Sequence, residues 1–135
     1  MKNFFIIIIF LSSSVYGEVI NIGNKELKQL IKEGIPIVDV RTKDEWKKTG
    51  VISKSNLISM VDHNGKYSIE NWLTNFTKLK LVNKSVVLIC AVGGRSYYLS
   101  KLLNRYDEKI KIYNLKNGLK NWIRFKNPIV RYNAN

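Results

Sequence analysis

Cysteine, histidine, proline and acidic residues are all scarce in this chain of 135 residues. It contains one cysteine, one histidine and two prolines, and its 10 acidic residues stand against 23 basic ones. A single cysteine excludes an internal disulfide, and one cysteine with one histidine cannot supply the ligands of a structural zinc site. We therefore expect no metal and no other cofactor, and a fold that depends on its own hydrophobic core.

The shortage of acidic residues leaves a formal net charge of +13. A basic protein can attract nucleic acid, anionic lipid or small anionic substrates. The basic residues are scattered along the chain, and no basic helix with interleaved aromatic residues is present. This pattern favours a basic surface that is simply solvated, with a small anionic substrate as the main alternative, and we expect no nucleic-acid partner.

No apolar run is long enough to predict a membrane span, because residues 4–11 supply about half of the ~20 residues required. That run follows Lys2 and precedes three serines and Gly17. A short basic start, an apolar segment and a small residue at the end are typical of a secretory signal peptide. We expect residues 1–17 to be removed, the protein to be periplasmic or secreted, and no permanent membrane anchor; a buried N-terminal strand is the alternative.

Short apolar runs alternate with helical stripes over residues 18–135. Strands are predicted at residues 19–22, 36–40, 57–60, 86–89 and 111–115. Helical spacing between these runs predicts amphipathic helices, for example Leu99, Leu102 and Leu103 on one face. The alternation predicts a single α/β domain with a five-stranded, mainly parallel sheet and helices on both faces. Working sites in such sheets lie at the carboxyl ends of the strands.

The lone cysteine, Cys90, directly follows the most apolar predicted strand. Gly93 and Gly94 come next and allow backbone N–H groups to approach a bound group closely. The helix that begins near Arg95 adds unpaired N–H groups, and Arg95 itself adds a permanent positive charge. This pattern predicts a reactive thiolate in an anion site. The alternative is an inert buried thiol at a plain strand-to-helix turn.

Three stretches, in order and correctly spaced, resemble the rhodanese family over residues 20–130. They are residues 37–41 with Glu45, Trp46 and Gly50, the loop from Cys90 to Arg95, and residues 113–118 with Trp122 and residues 128–130. The second stretch is similar to the six-residue active-site loop of sulfurtransferases, which begins with the catalytic cysteine. The resemblance implies the rhodanese-like fold and a sulfurtransferase that needs no cofactor.

The resemblance also implies a role for each residue of the site. Cys90 would be the nucleophile and would carry sulfur as a persulfide. The N–H groups of the loop would bind that persulfide; the loop residues are Ala91, Val92, Gly93, Gly94, Arg95 and Ser96. Asp39 and Arg41 would support the loop, although a structural ion pair with Glu45 or with the loop is the favoured interpretation of these two residues.

The expected partners are a small anionic sulfur donor and a thiol or cyanide acceptor, with the protein as a monomer or weak dimer. Thiosulfate, polysulfide and organic persulfides are the candidate donors, and the apolar Ala91 and Val92 favour the last two. Cysteine phosphatases of the same fold place one residue more between the cysteine and the arginine than this chain does, which argues against that activity. The alternative function, a non-catalytic sulfur carrier or a partner-docking module, stays open.

The signal-peptide interpretation predicts a defined start of the exported protein. When the whole chain is expressed in a secreting bacterial host, the exported material should begin at Glu18, as read by N-terminal sequencing. The Ile7→Lys variant interrupts the apolar segment with a charge and should stay in the cytoplasm. Exported protein that still carries Met1 would contradict the interpretation.

Overall fold

Strands and helices alternate along the computed structural model, which describes residues 18–134. The strands are β1 (Val19–Ile22), β2 (Ile37–Asp39), β3 (Asn56–Leu57), β4 (Ser85–Ile89) and β5 (Lys111–Leu115). The helices are α1 (Asn24–Lys32), α2 (Lys43–Thr49), α3 (Ile69–Phe76), α4 (Gly94–Tyr106) and α5 (Gly118–Arg124). The predicted α/β architecture is confirmed. Within these residues no helix has the length and apolar character that crossing a membrane requires.

The strands form one sheet in the order β1-β5-β4-β2-β3, and each of its four pairings is parallel. The most apolar strand, β4, lies in the middle, between β5 and β2. Strand β3 is shorter than the predicted run of residues 57–60. Its pairing with β2 is irregular beyond Leu57, where only the amides of Ile58 and Met60 donate, to the carbonyls of Asp39 and Val40.

Both faces of the sheet are covered by helices, as the sequence predicted. Successive residues of a strand point to opposite faces, so Val86 and Leu88 of β4 enter one core while Val87 and Ile89 enter the other. The first core packs α3 and α4 against the sheet, and it includes Trp72, Phe76, Leu99 and Leu103. The second core packs α1 and α5, and it includes Leu27, Leu30, Leu119 and Trp122.

A buried ion pair between Asp39 and Arg41 lies at the end of β2, and Arg41 also contacts the end of α2. Arg41 Nη2 lies 2.8 Å from Asp39 Oδ2, and the two side chains are 2% and 0% exposed. Arg41 also donates to Thr49 Oγ1 at 2.7 Å and to the Gly50 carbonyl at 2.9 Å. The sequence favoured a structural ion pair with Glu45 or with the loop. The structure instead pairs Asp39 with Arg41. Arg41 follows Asp39 by two residues, and its long side chain folds back on the Asp39 carboxylate.

This pair generates a prediction about stability. Arg41→Leu should lower the free energy of unfolding by about 3–5 kcal/mol, because it leaves the Asp39 carboxylate buried without a partner. The double variant Asp39→Leu, Arg41→Leu removes both charges and should recover a large part of that loss. Urea denaturation of the three proteins measures both effects. A double variant that is less stable than Arg41→Leu would contradict this account of the pair.

Candidate active site

The loop that carries Cys90 connects the central strand β4 to α4. Ile89 is the last residue of β4 and pairs with Asp39 of β2, and the Ile89 carbonyl accepts from Val40 N. On the other side β4 pairs with β5. The loop therefore leaves the sheet at the carboxyl ends of β2, β4 and β5, where parallel α/β sheets place their sites.

The first turn of α5 holds the backbone of this loop. Leu119 N donates to the Cys90 carbonyl at 2.8 Å, and Lys120 N donates to the Ala91 carbonyl at 3.0 Å. The loop approaches Gly118 so closely that a Cβ there would collide with the Ala91 carbonyl, and Gly118 has a φ of +68°. The sequence did not assign these α5 residues to the site. A glycine directly before an apolar helical stripe was the available signal.

Gly93 is the second point of close approach. Its φ is +96°, and a Cβ would collide with the carbonyl oxygen of Lys116. A left-handed backbone and a neighbouring carbonyl together require glycine at this position. Gly94 differs, because a Cβ there would meet no atom within 4 Å.

The Cys90 sulfur lies between this loop and the core that packs α3 and α4. Cys90 is 0% exposed and belongs to that core. Its Sγ accepts a hydrogen bond from the Gly93 amide at 3.1 Å and lies 3.3 Å from Ser96 Oγ. One of the predicted loop amides thus donates to Sγ, and binding of a second sulfur by the other amides stays a prediction. The thiol is buried, but its sulfur is turned towards polar atoms.

Ser96 connects the sulfur to a residue that the sequence did not assign to the site. Its Oγ lies 2.6 Å from Asn114 Oδ1, and both residues are buried. Asn114 belongs to β5 and lies two residues after the core residue Ile112, so it shares the core-facing side of the strand. A polar residue at an apolar position of the strand pattern was the signal that could have identified it.

Arg95 makes a two-pronged ion pair with Glu45 of α2. Arg95 Nη1 and Nη2 lie 2.8 and 2.7 Å from the two carboxylate oxygens. The hydrogen bond from Arg95 lowers the pKa of the Glu45 carboxyl, and the same bond raises the pKa of the Arg95 guanidinium. The structure therefore places Arg95 on a carboxylate, whereas the sequence suggested an oxyanion or the loop carbonyls.

The carboxylates next to the loop are both paired with arginines, Asp39 with Arg41 and Glu45 with Arg95. Within residues 18–134 no three His, Cys, Asp or Glu side chains come together as metal ligands would. The site therefore presents a sulfur atom, backbone amides and a hydroxyl as its chemical groups.

Two clefts flank the loop, and Arg95 lines both. The first has a volume of about 470 Å³ and a mainly apolar lining that includes Met60, Tyr67 and Tyr98. The second has a volume of about 300 Å³ and runs beside Ala91, with Lys48 and Lys120 in its lining. The loop thus lies between an apolar cleft and a basic one.

Comparison with known proteins agrees with this geometry. The family described as "Rhodanese-like domain" matches residues 23–125. A rhodanese-related protein from Thermoplasma volcanium is 25% identical with a TM-score of 0.66, over 84% of this chain and 99% of that chain. A Rhodopseudomonas palustris protein of unknown function, described as a possible tyrosine phosphatase, is 21% identical with a TM-score of 0.63, over 83% and 85%.

A thiosulfate sulfurtransferase from Pseudomonas aeruginosa is also similar in structure. It is 16% identical with a TM-score of 0.64, and the alignment covers 86% of this chain and 21% of that chain. The comparison with curated protein sequences finds no match. At 21% and 16% identity, the Rhodopseudomonas palustris and Pseudomonas aeruginosa proteins share the fold of this chain.

The two loop glycines allow a matched test of the loop geometry. Gly93→Ala should lower the free energy of unfolding by more than the roughly 1–2 kcal/mol that a left-handed backbone alone costs, because the added Cβ also collides with Lys116. Gly94→Ala adds the same atom where space is open and should change stability by less than about 0.5 kcal/mol. Urea denaturation of both variants measures this difference. Equal losses would show that the loop is not held as described.

Proposed function

The chain belongs to the rhodanese-like domain family, and we propose that it is a sulfurtransferase that carries sulfane sulfur as a persulfide on Cys90. The observation that carries the proposal is the setting of the lone sulfur. It lies at the end of the central strand and accepts a hydrogen bond from the Gly93 amide at 3.1 Å. The loop that encloses it requires glycine at Gly93 and, in the adjacent turn, at Gly118. Amides fixed in advance around a sulfur can stabilise negative charge on it.

In the first step the Cys90 thiolate attacks the outer sulfur of the donor. A new S–S bond forms at Sγ, the bond between the two sulfurs of the donor breaks, and the leaving group departs with the electron pair. With thiosulfate the leaving group is sulfite, and with an organic persulfide it is a thiolate. The proton of the thiol goes to solvent.

In the second step a thiolate or cyanide attacks the outer sulfur of the Cys90 persulfide. The bond between Sγ and that sulfur breaks, and Cys90 leaves as a thiolate that the loop amides again stabilise. The products are a new persulfide or thiocyanate. One sulfur atom has moved between two nucleophiles without an external oxidant or reductant, so the cycle requires no cofactor.

The two clefts support different classes of partner. Lys48 and Lys120 beside Ala91 favour a small anionic donor, because exposed cations attract anions into a cleft. The apolar cleft, together with the exposed side chain of Val92, favours a donor or acceptor with an apolar body. Since Cys90 has no exposed surface, a donor or acceptor has to enter the loop to reach Sγ.

Phosphate-ester hydrolysis is the weaker candidate. The loop has only Ala91 to Gly94 between Cys90 and Arg95, and the Arg95 guanidinium is already bound on two nitrogens by Glu45. A guanidinium held in this way does not present its donor pair to a phosphate.

We also propose that the domain acts in the periplasm or outside the cell, on the basis of the signal-peptide pattern of residues 1–17, which lie outside the described residues.

Persulfide formation can be measured directly. Protein incubated with thiosulfate or polysulfide and then freed of donor should gain the mass of one sulfur atom on Cys90, as read by intact-protein and peptide mass spectrometry. Cys90→Ser keeps the shape of the residue, lacks the reactive sulfur and should gain nothing. A second incubation with cyanide or a small thiol should return the wild type to its original mass.

The outcomes separate the candidate functions. Equal mass gains for wild type and Cys90→Ser after incubation with the donor would overturn the sulfur-carrier assignment altogether. A persulfide that forms but passes to no acceptor would favour a sulfur-binding or docking module over an enzyme.

A further inference from the structure

A network of hydrogen bonds runs from the Cys90 sulfur to Asn21 of β1, and it is buried as far as Asn114. Ser96 Oγ lies 3.3 Å from Sγ and 2.6 Å from Asn114 Oδ1. Asn114 Nδ2 then donates to Asn21 Oδ1 at 3.0 Å and to the Gly93 carbonyl at 3.3 Å. Cys90, Ser96 and Asn114 are 0%, 0% and 2% exposed, so no bulk water competes for the bonds among these three residues.

The positions of the hydrogens in this network of hydrogen bonds follow from the groups that can only accept. The Gly93 carbonyl cannot donate, so the amide nitrogen of Asn114 must face it, and the amide oxygen must face Ser96. That oxygen has no hydrogen of its own and therefore takes the one hydrogen of the Ser96 hydroxyl. Ser96 Oγ is left with only a lone pair to offer to the sulfur.

A lone pair directed at Sγ suits a thiol and not a thiolate. A protonated Cys90 can donate its S–H to Ser96 Oγ and complete the hydrogen-bond network. A thiolate cannot donate, and it would be stabilised by Ser96 only if the hydroxyl turned its hydrogen from Asn114 to sulfur. That turn would leave Asn114 Oδ1 buried without a donor, which is unfavourable.

We propose that Asn114 is a positioning residue that holds the Ser96 hydroxyl hydrogen away from Cys90 and so restrains the reactivity of the resting thiol. The Gly93 amide favours the thiolate, and the Ser96–Asn114 bond opposes it. Ionisation of Cys90 is thereby coupled to a change of partner at Ser96. The consequence for sulfur transfer rests on the proposed function, whereas the effect on the thiol itself does not.

Removal of the Asn114 amide should leave no other buried group without a partner. The Gly93 carbonyl also accepts from Tyr97 N at 3.2 Å, and Asn21 is exposed, so water can replace its lost partner. Ser96 alone changes, because its hydroxyl becomes free to donate to Sγ at 3.3 Å. The Gly93 carbonyl lies 3.4 Å from the same hydroxyl, but it already accepts from Tyr97 N, so the sulfur is the acceptor without another donor of this kind. Leucine has the branched shape of asparagine without its polar atoms, which makes Asn114→Leu the variant that isolates this effect.

The test is the rate at which iodoacetamide alkylates Cys90, the only cysteine, followed from acidic to strongly alkaline pH. Asn114→Leu should react about tenfold faster than wild type near neutral pH, the effect of one hydrogen bond to a charged group. The two rates should converge at high pH, where every thiol is ionised. Easier access to the sulfur would instead raise the rate at every pH.

Other titratable groups near the loop remain unchanged in these variants. They are Asp39, Arg41, Glu45, Lys48, Tyr67, Arg95, Tyr98 and Lys120. A changed pH profile therefore reports the Ser96 hydroxyl and not an altered charge.

Two controls establish that Asn114 acts through Ser96. In a Ser96→Ala background, Asn114→Leu should have no effect on the rate, because no hydroxyl is left to release. Asn21→Ala removes an outer partner of Asn114 without touching Ser96 and should react like wild type. Circular dichroism checks folding, and Asn114→Val, which is smaller and favours strands, replaces the leucine variant if that variant is unfolded.

The proposal is overturned by an unchanged rate in the Asn114 variant, by an increase that persists at high pH, or by an increase that survives in the Ser96→Ala background. Alkylation needs no sulfur donor, so its outcome is independent of the persulfide assay. If the protein fails to take up sulfur but shows the expected alkylation profiles, the proposed function is refuted and the proposed role of Asn114 stands.

Discussion

The site depends on the close approach of two backbone segments, the Cys90 loop and the turn between β5 and α5. The first amides of α5 bind the carbonyls of Cys90 and Ala91, and the segments come so near that Gly93 and Gly118 have no room for a Cβ. This contact holds the loop in its curved shape, which turns the Gly93 amide towards the sulfur. Backbone packing, more than any charged side chain, therefore organises the candidate active site.

Charge around the loop is arranged so that each nearby carboxylate is occupied. Asp39 is held by Arg41 inside the protein, and Glu45 is held by Arg95 at the boundary between the two clefts. A free carboxylate next to Cys90 would oppose a thiolate and repel an anionic donor. Pairing removes that repulsion, while Lys48 and Lys120 leave the adjoining cleft basic.

Much of the architecture could be predicted because its signals are local. The run Val86 to Ile89 is entirely apolar, which is typical of a strand buried on both faces, and it proved to be the central strand. Strand β3 was predicted too long because an apolar run does not reveal where its partner strand ends. The pairing of Asp39 with Arg41 was predicted with the wrong partners, since sequence separation alone does not say how a long arginine side chain folds.

The order of residues by itself determined the alternating α/β pattern and the position of Cys90 after the most apolar strand, because both follow from hydrophobic periodicity and from residues adjacent in the chain. Only the tertiary structure decided what surrounds the sulfur. Asn114 reaches Ser96 from a different strand, and the amides of α5 reach the loop from a different helix. Such contacts depend on how the parallel strands are ordered in space, and strand order is a property of the folded sheet that local sequence patterns do not contain.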